Sequence, residues 1–211
     1  IDLQARKETI RKDVEQLAAT HGGEVCWEGR LLEQVTNLVE YPVAVWGGFD
    51  EAFLELPREV LTNTMVKHQR YFPVQRPDGK LMPNFITVSN TRARDMIVVA
   101  QGNSRVLRAR LADAMFFFKG DTDRPLADFV PALKGVLYQE KLGTSHQKME
   151  RFQELALYLG SALEVGGAHE LERAAYLCKA DLVTRMVVEF PNLQGIMGRE
   201  YALLSGEKEE V

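Results

Sequence analysis

The sequence predicts an α+β fold, a mixed α and β region followed by a helical one, and three observations carry that expectation. Residues 71–75 and 81–89 alternate with strand period around Pro77-Asp78-Gly79, which is turn chemistry between two strands. From Thr144 onward the apolar residues recur with helical spacing, punctuated by Gly166-Gly167 and Pro191. Between these regions Gly120-Asp-Thr-Asp-Arg-Pro125 breaks the chain. The domain change is placed there, giving a mixed α+β region over 1–125 and a helical region over 126–211.

Taken in order, Leu3 to Thr20 reads as an amphipathic helix. Leu3, Ile10, Val14 and Leu17 lie on one side, Glu8, Arg11, Lys12 and Glu15 on a solvated face, and His21-Gly22-Gly23 ends it. Leu31 to Val39 is a second helix, which Tyr41-Pro42 stops before a short strand, Val43 to Trp46. Gly47-Gly48-Phe49-Asp50 reads as a turn. Pro57 sits where a helix begins, and Leu61 and Met65 give that segment an apolar edge until Tyr71. The hairpin follows, with Phe72 and Val74 facing Phe85, Ile86 and Val88; Phe72 is assigned to the core.

Ser104 reads as the N-cap of a helix running to about Phe118, with Leu107, Leu111, Ala114 and Phe118 on one stripe. Leu126 to Leu133 is a short helix, and longer ones are expected over about Ser145–Glu164, Ala168–Glu189 and Asn192–Ser205. On the second of these, Tyr176, Ala180, Val183, Val187 and Phe190 share a face, while Leu177, Cys178 and Val188 lie opposite with Asp181 and Arg185. Such a helix should be largely buried. Asp181 and Arg185, at i,i+4, read first as a surface ion pair.

Composition bounds the function. The 211 residues suffice for one large or two small domains, with 45% hydrophobic and 27% charged residues typical of a soluble globular chain. No apolar run approaches the length of a bilayer span. A net charge of −4 argues against a general polycation while leaving room for a local basic face. Cys26 and Cys178 lack CxxC spacing, so neither a zinc site nor a disulfide framework is indicated, and a reducing cytosol fits best. The start at Ile1 without methionine or signal pattern, and the end in Glu207-Lys-Glu-Glu-Val211, suggest an internal fragment.

No phosphate cradle of the GxxxxGK[ST] type occurs, nor a GxSxG elbow, nor a HIGH-type or KMSKS-type nucleotide-binding motif. No catalytic residue is therefore assigned. What stands out is a basic and aromatic skew. Lys67 and Arg70 interleave with Tyr71 and Phe72, and Thr91 to Arg110 holds Arg92, Arg94, Arg105, Arg108 and Arg110 against one acid, Asp95. Arginine forks suit phosphate oxygens, and rings suit unpaired bases. Arg105 and Arg108, one turn apart at the start of the expected helix, would sit beside its positive end. Pairing with carboxylates such as Asp113 is the equally weighted alternative. Lys141, Lys148 and Arg151 form a weaker basic group whose first reading is a solvated face.

The wording of several segments resembles the beta subunit of bacterial glycyl-tRNA synthetase. The segments are Leu38-Val-Glu-Tyr-Pro42, Met65-Val-Lys-His-Gln-Arg-Tyr-Phe-Pro73, Phe85-Ile-Thr-Val-Ser-Asn90, 102–114, Gln139-Glu-Lys-Leu-Gly-Thr144 and Lys179-Ala-Asp-Leu-Val-Thr184 with 186–202, in that order. The resemblance implies that 1–125 corresponds to a region related to a domain of the phenylalanyl-tRNA synthetase beta chain, and 126–211 to an HD-like domain. It also implies a heterotetrameric, cytoplasmic ligase that joins glycine to tRNA(Gly), with ATP and magnesium used through the alpha subunit and tRNA handled by beta. The partners implied are the alpha subunit, tRNA(Gly) and the remainder of beta, with no membrane.

An HD metal site needs an adjacent His-Asp pair, and here Ala180 stands before Asp181 where the histidine would be. The resemblance thus points to a degenerate site with no metal ligand set; His146 alone is a capping or surface residue. A structural assembly module without RNA contact, and an HD-type phosphohydrolase, are the competing functions.

Overall fold

The computed structural model describes residues 2–164 and 166–211, and the chain divides into two compact units, one reaching Met115 and the other starting at Phe116. The division falls inside a helix rather than in the expected breaker.

In the first unit α1 spans Leu3–Thr20 and is capped by Asp2, whose carboxylate accepts from the amides of Gln4 and Ala5 at 3.4 and 3.1 Å. Then come β1 (Glu24–Val25), α2 (Leu31–Leu38), β2 (Val43–Gly48), α3 (Arg58–Asn63), β3 (Phe72–Gln75) and β4 (Leu81–Ser89). The strands form one antiparallel sheet in the order β1-β3-β4-β2, so β2 is an edge. Ile10, Val14, Leu31, Val35, Phe72, Val74 and Ile86 make its core. Leu3, expected on that face, is instead 52% exposed. The hairpin is as expected: Phe72 pairs with Ile86, Arg76 N donates to Lys80 O at 2.8 Å, and Gly79 takes the left-handed φ of 84° that the turn requires. Phe72 is fully buried, a side-chain burial that contributes roughly 1.5–3 kcal/mol.

Two expectations fail in this unit for physical reasons. Gly47 and Gly48 do not turn; they extend β2. A Cβ on Gly47 would lie 2.3 Å from the ring of Phe85, so this glycine admits an aromatic side chain. The chain bends later, where Asp50 accepts from Ala52 N at 3.0 Å to begin a 3₁₀ turn, Glu51–Glu55.

The second failure is the helix start. α4 spans Met96–Thr122, so Ser104 lies mid-helix and caps nothing. Asp95 accepts from Ile97 N at 2.8 Å in the first turn instead. Asn103 and Ser104 imitate a helix start because their side chains serve tertiary bonds. Asn103 Oδ1 accepts from the Tyr71 hydroxyl at 2.7 Å, and Ser104 Oγ accepts from Gly48 N at 3.3 Å.

The second unit takes in the last turns of α4, then a 3₁₀ stretch, Leu126–Gly135, with Pro131 inside it. It is not wholly helical. β5 (Leu137–Gln139) and β6 (Gly143–Thr144) pair antiparallel, a ladder without a buried face and hence without an alternation to read. α5 (Ser145–Ala162) starts with a capping box between Thr144 and Gln147. α6 (Ala168–Leu177) is followed by a 3₁₀ turn, Ala180–Val183, then α7 (Arg185–Glu189) and α8 (Ile196–Leu204).

The single helix expected over 168–189 is therefore broken twice, at Cys178-Lys179 and at Thr184. Thr184 adopts extended backbone, donates its hydroxyl to Asp181 O at 2.7 Å, and accepts from Val187 N at 3.3 Å. The helix expected from Asn192 begins only at Ile196, after a 3₁₀ turn, Pro191–Leu193, and Gly195 at φ 82°.

Candidate nucleic-acid interface

α4 meets β2 where Ser104 Oγ accepts from Gly48 N, and residues of the two line an open cleft of about 540 Å³. Ile97, Ala100, Gln101, Ser104, Arg105 and Arg108 line it from the helix; Trp46, Gly47 and Gly48 line it from the strand. The helical residues recur at the three- and four-residue steps of one face. Trp46 is held by His21, the two rings stacked at 4.0 Å and 7°. Arg105 and Arg108 are exposed, and neither has a hydrogen bond or ion pair among the described residues. The pairing with Asp113 does not form. Nor do these arginines sit at a helix N-terminus: they are in the middle of α4, so the dipole lends them nothing. What remains is two unpaired guanidinium forks one helical turn apart, about 4.5 Å along the axis, at the mouth of a largely apolar cleft.

The other basic residues do not join this pair. Arg110 is exposed on α4 but is two positions past Arg108, so it points to another side of the helix. Arg94 is exposed before α4, and Arg92 borders a separate concavity with Asp13, Gln16 and Tyr41. Lys67 is exposed, whereas Arg70, at φ 60°, turns its guanidinium back onto the carbonyls of Val66 and Lys67 and so closes the π-helical segment Thr64–Gln69 that follows α3. In the second unit Lys141 and Arg151 are exposed, and Lys148 holds its ammonium 3.6 Å from the Tyr138 ring centroid. His146 faces Glu150 at 3.4 Å.

The ions of the Lys179–Gly198 stretch behave differently. Asp181 is fully buried and is no surface partner of Arg185. Its Oδ2 accepts from Gly195 N at 2.5 Å and Gly198 N at 3.0 Å, which caps α8 from a distance. A Cβ on Gly198 would lie 3.1 Å from that oxygen, a tight contact to which the carboxylate would have to yield. Burial raises the Asp181 pKa above the usual carboxylate range, opposed by the two amides, and Oδ1 has no hydrogen bond. Asp121 does the same for α7: its carboxylate accepts from Arg185 N and Met186 N at 3.0 and 2.9 Å and from the Tyr201 hydroxyl at 3.1 Å. Burial, then the Asp121 charge, push the Tyr201 pKa up.

These carboxylates hold backbone. Ala180, next to Asp181, is buried. No three His, Cys, Asp or Glu side chains among the described residues are grouped as metal donors. No described helix is long and apolar enough to cross a membrane.

Sequence reasoning named Arg105 and Arg108 as candidates but not the cleft they flank. The signal was present in the face 97, 100, 101, 104, 105, 108, which becomes continuous once the helix is traced back to Met96. Gly102-Asn103-Ser104 hid it.

Among known proteins, the family described as glycyl-tRNA synthetase beta subunit matches residues 1–211. The chain is 54% identical over 210 residues to the glycine–tRNA ligase beta subunit of Geobacter sulfurreducens, covering 100% of this chain and 31% of that protein. It is 55% identical over 210 residues to that of Citrifermentans bemidjiense, with the same coverage of both chains. With that of Acaryochloris marina the identity is 49% over 214 residues, covering 100% of this chain and 30% of the relative. The chain thus spans about a third of the length of the curated relatives it matches.

Proposed function

The chain belongs to the glycyl-tRNA synthetase beta subunit family, and from that premise we propose that it is a non-catalytic part of the surface that handles tRNA(Gly). One observation carries this reading: Arg105 and Arg108 are exposed without a partner at the mouth of the β2–α4 cleft. Charges in this position bind phosphate at no cost in broken intramolecular pairs. Lys67, Arg92 and Arg94 add exposed positive charge in the same unit. In this reading the alpha subunit uses ATP and magnesium to activate glycine, and the heterotetramer, in the cytoplasm, completes glycyl-tRNA.

The second unit is read as HD-like with its metal site lost. Ala180 replaces the histidine, and the Asp181 carboxylate accepts from backbone amides rather than facing a metal. The first unit is read as the counterpart of the phenylalanyl-tRNA synthetase beta-chain domain.

A specific observation also favours an assembly role. Leu155, Tyr158 and Leu159 on α5 and Leu163 at its C-cap lie exposed, an apolar face that suits a protein neighbour such as the alpha subunit or the remainder of beta. Binding of the chain to a glycine tRNA transcript and to a non-cognate tRNA across a salt series separates the readings. Salt-sensitive, cognate-preferring binding is expected; no binding at low salt leaves the assembly role.

A further inference from the structure

Two arginines over an open surface would serve any phosphate backbone, but the cleft behind them narrows the choice. Its floor is apolar, made by Trp46, Ile97 and Ala100, while the space beside Gly47 is filled by the Phe85 ring. Ile97 is 66% exposed. A duplex presents phosphates on a convex face with its bases stacked inside, so it would meet the arginines and leave that floor bare. An unpaired nucleotide presents phosphates on either side of a planar base, and an apolar floor gains from covering the base.

The polar groups fit as well. Ser104 Oγ accepts from Gly48 N and keeps its own O–H to donate, and Gln101 is exposed at the rim with a donor and an acceptor for a base edge. Trp46 is already stacked on His21, so little ordering of that ring remains when a ligand arrives. Both arginines are fixed to the same stretch of α4, which sets the spacing of their forks.

We infer that the β2–α4 cleft takes one unpaired nucleotide of a structured RNA, its base against Trp46, Ile97 and Ala100 and its flanking phosphates on Arg105 and Arg108. The inference rests on the RNA-handling reading and adds the chemical form of the ligand at this site.

The chain has two tryptophans, so Trp27→Phe leaves Trp46 as the sole indole reporter. That variant is titrated with a glycine tRNA transcript, a short single-stranded RNA and a blunt RNA duplex of equal phosphate number. The tRNA and the single strand should quench Trp46 and compete with each other, and the duplex should do neither. Ala100→Phe, which fills the cleft from a half-buried helix position, should weaken the single strand by about tenfold, the scale of one lost base stack, while retaining most of the tRNA salt dependence.

If tRNA binds with its salt dependence but Trp46 is silent and the single strand does not compete, the unpaired-nucleotide inference is overturned and the RNA reading stands. If no RNA binds, both fall. Equal displacement by a polyglutamate peptide overturns the inference as well, because it shows a general anion surface.

Discussion

Two pairs of ions, one in each unit, have opposite fates. Arg105 and Arg108 in the first unit sit exposed on the middle of α4 with no partner among the described residues. Asp121 and Asp181 in the second are buried, and both accept from main-chain amides at the starts of short helices. The stretch that is densest in sequence, Lys179 to Gly198, thus uses its carboxylates to hold a broken helical path together. Charge that remains available to a ligand lies in a plainer segment. A dense motif is evidence of constraint, and the constraint can be architectural.

The largest test of this contrast is Asp121→Ala, which strands the part-buried Arg185 amide, the buried Met186 amide and the Tyr201 hydroxyl. Urea unfolding should show a loss of about 3–5 kcal/mol. Arg105→Ala/Arg108→Ala should change stability by no more than about 0.5 kcal/mol, and a loss like that of Asp121→Ala would erase the distinction. Asp181→Ala should cost about 2–4 kcal/mol, and Asp181→Asn less, since an amide oxygen still accepts and no charge is buried. Gly47→Ala, which drives a methyl into the Phe85 ring, should cost about 1–3 kcal/mol and report on the wall of the cleft.

Smaller, but of opposite sign in the two cases, are the effects of pH. The Arg173 guanidinium hydrogen-bonds Glu207 and lowers its pKa, so that contribution is present above the ordinary carboxylate range and lost as pH falls through the depressed value. Asp181 is raised by burial, so its contribution is present at low pH and lost as pH rises through the raised value. Unfolding midpoints against pH should therefore show Asp181→Asn gaining on the parent chain as pH rises, whereas Glu207→Gln should flatten the acid limb. A parallel pair of curves would mean that neither group is tuned by its surroundings.

Much of the first unit was legible. The hairpin announced itself through period-two alternation and Pro77-Asp78-Gly79, and α1 through its apolar stripe and its glycine stop. The misreadings share a cause. Asn103, Ser104 and Gly47 carry the chemistry of caps and turns, yet they act across the fold: Asn103 on Tyr71, Ser104 on Gly48, and Gly47 by yielding to Phe85. A sequence window registers the residue type but not its distant partner. The same blindness made Asp181 a surface ion, because the amides of Gly195 and Gly198 reach it only after the chain has turned at Thr184 and Gly195. Of the candidate interface, the two arginines were readable from charge asymmetry alone. The cleft was not, since it needs β2 and α4 side by side.

The most direct test is the salt dependence of glycine tRNA binding for the parent chain and for Arg105→Ala/Arg108→Ala, with Asp181→Asn as a folded comparison. The account predicts weaker binding for the arginine variant, with a log–log salt slope shallower by about one per lost phosphate contact, and an unchanged slope for Asp181→Asn. Unchanged affinity and slope in the arginine variant would contradict it.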